Sequence, residues 1–160
     1  MNRITSFLAL SAIVVAGAFA GTAAQASASN VNVNFKVHNG DGSSQSMIRS
    51  GAPSSGISGL INPAASILPG GDDPSSGFAV FSLPAPNQGG SVQGSVSYAN
   101  AIDGVSNLCT FTITVTHPSP NLFGLHFSAG PSGTPCSVPG DATNANGQFT
   151  TTTYVLTWTT

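Results

Sequence analysis

Leu108 to Phe127 reads LCTFTITVTHPSPNLFGLHF, and no other stretch constrains the chain as strongly. Phe111, Ile113 and Val115 alternate with Thr110, Thr112, Thr114 and Thr116. Successive side chains of an extended strand point to opposite faces, so this run has one face for a core and one for solvent. His117-Pro118-Ser119-Pro120-Asn121 interrupts it with turn residues, after which Phe123, Leu125 and Phe127 resume the alternation. Two alternating strands around a proline turn make a hairpin. A hairpin alone is marginal and needs a second layer to cover its apolar face.

The rest of the chain supplies that layer. Asn30 to His38 alternates without a fault: Val31, Val33, Phe35 and Val37 on one face, Asn32, Asn34, Lys36 and His38 on the other. Asn39-Gly40-Asp41-Gly42 ends it with turn dipeptides. A further strand is expected around Met47-Ile48, within Ser43 to Gly51. Ala52 to Gly77 is rich in Gly, Pro and Ser, with a short strand expected over Ile57 to Ile61, a turn of helix over Ala64 to Leu68 and a loop over Pro69 to Pro74. Phe78 to Leu83 is apolar on both faces, as a strand covered on both sides would be. Ser91 to Tyr98 alternates again, with Val92, Gly94, Val96 and Tyr98 inward. Ala99 to Asn107 and Ala129 to Gln148 read as loops, and Phe149 to Trp158 as the last strand. Short strands at this spacing predict an all-β fold: a single-domain, mostly antiparallel β-sandwich of about seven strands.

The N-terminus reads differently. Met1-Asn2-Arg3 is followed by an apolar run, Phe7 to Ala20, that is shorter than the roughly 20 residues that cross a bilayer. Ala24-Gln25-Ala26 and Ala26-Ser27-Ala28 fit the small-residue cleavage rule. The expectation is a secretory signal peptide over residues 1–28, cut after Ala26 or Ala28, and one secreted domain over residues 29–160, periplasmic or extracellular, with no transmembrane segment once cut. Cys109 and Cys136 are the only cysteines, and in an exported chain such a pair is expected to form one disulfide. Its loop of about 28 residues would stabilise the fold by roughly 3–4 kcal/mol.

Charge excludes several functions. Only 5% of residues are charged, where about 25% is usual. Beyond residue 28 the basic side chains are Lys36 and Arg49, too few to release the counterions of a nucleic acid. Glutamate is absent, so no H-E-x-x-H metal motif can exist, and no G-x-S-x-G elbow occurs. No cofactor and no metal site are expected. His117 and His126 fall on opposite faces of the hairpin, and His38 lies on the polar face of another strand. Asn39, Asp41 and Ser43 have the start of a calcium-loop spacing, but Ser50 stands where the closing acid belongs.

What remains are candidate ligand-binding residues. Asp41, Asp72 and Asp73 sit in expected loops with Asp103 and Asp141, and a converging pair of these could act as hydrolytic carboxylates. Trp158 could stack on a sugar if it lies beyond the core edge. The row Thr110, Thr112, Thr114 and Thr116 resembles the T-x-T rows of ice-binding proteins. The alternating first strand and Tyr-containing last strand loosely resemble a pilus subunit, although the cysteines fall later than in that family. The expectation is a non-enzymatic binding or adhesin-like surface-interaction module, with a carbohydrate or a protein surface as partner. Its candidate contact loops are Asn39–Gly42, Pro69–Gly77 and Pro131–Gly147. The alternatives are a secreted hydrolase using loop aspartates and a pilus-like or membrane-active β subunit.

Overall fold

In the computed structural model the described residues are 29–40, 42–60, 66–100, 109–131 and 136–159. The expected signal peptide, Asp41, Asp103 and residues 64–65 of the expected turn of helix lie outside them; Ser66 to Leu68 are described and form no helix, because Ile67 instead bridges Met47 with backbone hydrogen bonds. Among the described residues every regular element is a strand. In order they are β1 (Asn30–Asn39), β2 (Met47–Arg49), β3 (Ile57–Ser58), β4 (Asp72–Asp73), β5 (Ala79–Pro84), β6 (Ser91–Asn100), β7 (Cys109–Ser119), β8 (Leu122–Gly130), β9 (Cys136–Ser137), β10 (Ala142–Asn144) and β11 (Gln148–Trp158). Eleven strands replace the expected seven or so, because β2, β3, β4, β9 and β10 are two- or three-residue pieces that pair only at sheet margins. Asp72 and Asp73 thus lie in a strand, not a loop. The expected loop from Ala129 to Gln148 holds the end of β8 together with β9 and β10.

The strands form two sheets. The first runs β3-β5-β1-β11-β9, with β4 also on β1; the second runs β10-β8-β7-β6-β2. All pairings are antiparallel except β1 with β11. One edge of β1 is taken by β5 and then β4, the other by β11, so the first strand is paired on both sides within its own chain. The Cys109–Cys136 disulfide joins β7 of the second sheet to β9 of the first.

Parity decides the core. Val31, Val33, Phe35 and Val37 of β1 are fully buried, as are Phe111, Ile113 and Val115 of β7; Phe123, Leu125 and Phe127 of β8 are buried opposite them. These groups belong to one apolar cluster fed by both sheets. Each such side chain contributes about 1.5–3 kcal/mol on burial. Gly94 lets the sheets meet: a Cβ there would lie 2.5 Å from Cε2 of Phe81. The β5 segment is less closed than its composition suggested, since Phe78, just before it, is 46% exposed.

The run Thr150–Thr153 interrupts the β1–β11 ladder. Val33 pairs with Phe149 and Phe35 with Tyr154, so five steps on β11 span two on β1. Three surplus residues bulge outward, with Thr150, Thr151 and Thr152 exposed. An odd surplus reverses parity, which is why Phe149 and then Leu156 and Trp158 all point inward. The bulge covers Asn34, which alternation had placed on the polar face: it is only 6% exposed, and its Nδ2 donates to the Thr150 carbonyl at 3.0 Å.

Candidate functional site

The two adjacent acids of β4 face opposite ways, because neighbours on a strand must. Asp72 registers with His38 and Asp73 with Val37. Asp72 therefore lies on the outer face of the first sheet. Lys36 Nζ donates to its Oδ2 at 2.6 Å and His38 Nδ1 donates to its Oδ1 at 2.8 Å. Partial burial would raise the Asp72 carboxyl, but the hydrogen bonds and charges of Lys36 and His38 together outweigh it. The group is held below its ordinary value of 3.8.

Asp73 points into the molecule. Arg49 Nη1 donates to its Oδ2 at 3.2 Å, and the Tyr98 hydroxyl donates to the same oxygen at 2.8 Å. All three residues are buried, Tyr98 completely. Arg49 and Tyr98 are register partners on β2 and β6, so the triad ties the second sheet to β4 of the first. Burial, then the Asp73 charge and the bond to it, push the Tyr98 phenol well above its usual 10.0. Arg49 was not singled out from sequence, although parity could have found it. It shares a face with the core residue Met47, and a cation on an inward face must meet an acid.

A groove of about 400 Å³ opens beside this strand, lined in part by Ile67, Leu68, Gly71, Asp72, Asp73 and Ser75. Its two carboxylates are committed to the bases just named and do not face one another across it. Asp141 is on the other sheet's margin, where His126 Nδ1 donates to its Oδ1 at 2.7 Å. Asp41 and Asp103 lie outside the described residues. Trp158 is wholly buried at the end of β11, so its ring presents no face to a ligand in this packing. His117 stacks on Phe123 with ring centroids 4.2 Å apart, and its Nδ1 donates to the Pro86 carbonyl. Among the described residues no three His, Cys, Asp or Glu side chains are grouped as metal ligands, and no helix is long and apolar enough to cross a membrane.

The outer face of the second sheet is chemically different. Its register places Gln93, Thr114 and His126 in one row across β6, β7 and β8, and Ser95, Thr112 and Ser128 in the next. Ser97 and Thr110 follow, joined by a 2.7 Å bond between their hydroxyls. Rows on a sheet lie about 6.8 Å apart along the strands and about 4.8 Å across them. A shallow cavity of about 190 Å³ sits in this face between Ser54, Gln93, Gly94, Ser95 and Thr112. Alternation showed the threonines, but Ser54 reaches the face from the irregular segment after β2, and no local pattern announces that.

Comparison with family models, with curated proteins and with solved structures finds no match.

Proposed function

We propose that the protein is a secreted, non-enzymatic binding or surface-interaction module. In this reading the two sheets form a β-sandwich, freed by cleavage after Ala26 or Ala28, that takes an uncharged polar partner such as a carbohydrate or a protein surface. The observation that carries the proposal is how the described acids are used. Asp72 is bonded to Lys36 and His38, Asp73 to Arg49 and Tyr98, and Asp141 to His126. A glycosidase needs two carboxylates facing each other about 5–10 Å apart across a cleft. Asp72 and Asp73 instead serve opposite faces of one strand. The low charge supports a partner that needs no ion pairing, and the single disulfide suits an oxidising compartment.

An array of neutral glycans, charged glycans and lipids tests the reading. Retention by uncharged glycans, undiminished in Asp72→Ala, is the expected result. Binding to lipid alone, accompanied by liposome leakage, would replace it with the membrane-active reading.

A further inference from the structure

The two outer faces divide the polar chemistry of the molecule between them. Lys36, His38 and Asp72 stand on the first sheet. On β6, β7 and β8 the second sheet shows hydroxyls, glycines, one glutamine and one histidine, with no Lys, Arg, Asp or Glu; Asp141 stands at its border against His126. Its large apolar side chains stand at its margins, Leu122 at the first residue of β8 by the hairpin tip and half-buried Ile48 on the edge strand β2. The exposed large apolar side chains of the described residues are Leu68, Phe78, Leu122 and Val155, which lie in the segment before β4, just before β5, at the hairpin tip and on β11. A protein partner ordinarily needs an apolar or aromatic centre to its contact. A charged polymer needs opposite charge. This face offers neither.

It offers instead a preformed depression of about 190 Å³ lined by three hydroxyls and an amide. Hydroxyl and amide groups donate and accept hydrogen bonds alike, as sugar hydroxyls do. The wall is fixed in place. Ser54 N donates to the Ser95 carbonyl at 3.0 Å, and Ser95 N donates to Ser54 Oγ at 2.7 Å. That leaves the Ser54 hydroxyl its own proton to give. The floor is held from inside, since Gly94 carries no side chain and the Phe81 ring packs directly beneath it. A rigid site loses little freedom on binding.

We propose that the depression at Ser54, Gln93, Ser95 and Thr112 is a subsite for one residue of a neutral polysaccharide whose chain lies along the second sheet. The inference rests on the binding-module reading and narrows it to one ligand class and one face. The Gln93 amide and the Ser95 and Thr112 hydroxyls hydrogen-bond the sugar's hydroxyls, and the flanking threonines bear neighbouring residues of the polymer.

Titration with cello-, laminari- and chito-oligosaccharides, followed by backbone amide shifts, tests this directly. One series is expected to move the signals of residues 93–95 and 112. The variant Gln93→Ala/Thr112→Val should bind that series roughly tenfold more weakly, the effect of two lost neutral hydrogen bonds. Its urea midpoint reports folding, and Gln93→Ala alone, at an exposed position, repeats the test if the pair is unstable. Ser82→Ala on the first sheet should change nothing. Shifts confined to residues 69–77 overturn the subsite but leave the binding-module reading in place. Undiminished affinity in the variant, or no response to any saccharide, also overturns it. Cleavage of the saccharide overturns the binding-module reading itself.

Discussion

Asp73 shows how a residue with catalytic chemistry becomes a structural one. It is 6% exposed, and its Oδ2 receives both Arg49 and Tyr98. Removing one member of a buried ion pair leaves the other desolvated without compensation, at about 3–5 kcal/mol. Asp73→Ala should therefore be severely destabilised in urea unfolding, and Tyr98→Phe should lose about 1–3 kcal/mol by stripping one bond from the buried carboxylate. Asp72, one residue away, acts at the surface. Its folded value lies below its unfolded one, so the stability it contributes is present above pH 3.8 and is lost as pH falls through the folded value. Asp72→Asn should flatten the acid limb of a melting-temperature profile against pH. Tyr98 has the opposite sign: its raised value makes stability fall as pH climbs past 10, where the unfolded phenol ionises and the folded one does not. Tyr98→Phe should reduce that alkaline loss.

At the scale of the element, the threonine bulge sets the face of the whole last strand. Three surplus residues put Leu156 and Trp158 into the core. Deleting Thr150, Thr151 and Thr152 together restores a regular ladder with Tyr154 still opposite Phe35, so the protein should stay folded by circular dichroism. Gly94→Ala tests the contact between sheets. The new methyl meets the Phe81 ring, and overpacking of this kind costs about 1–3 kcal/mol. The long elements were legible because alternation is local: β1, β6, β7 and β8 follow from counting by twos. The sequence was silent on β4, β9 and β10, whose few residues are strands only because distant partners pair with them. It was silent for the same reason on the parallel β1–β11 pairing, the burial of Asn34 and the meeting of Ser54 with Ser95. Parity alone placed Arg49 inward; nothing local named Asp73 as its partner.

Across the whole molecule, the two sheets share one apolar cluster and are joined covalently by Cys109–Cys136 and electrostatically by Arg49–Asp73. Cys109→Ala/Cys136→Ala should lower unfolding free energy by about 2–4 kcal/mol, because the reduced chain regains the freedom of the loop. The proposed function follows from the same division of labour. Each described acid is bonded to a basic side chain, and in the proposed reading the uncharged face of the second sheet is the one that meets a partner. The most direct test is to incubate the protein with whichever saccharides it retains and measure newly formed reducing ends, alongside Asp72→Asn/Asp141→Asn. The account predicts no product from either protein and equal binding by both. Product formed by the unaltered protein and lost in the variant would contradict it.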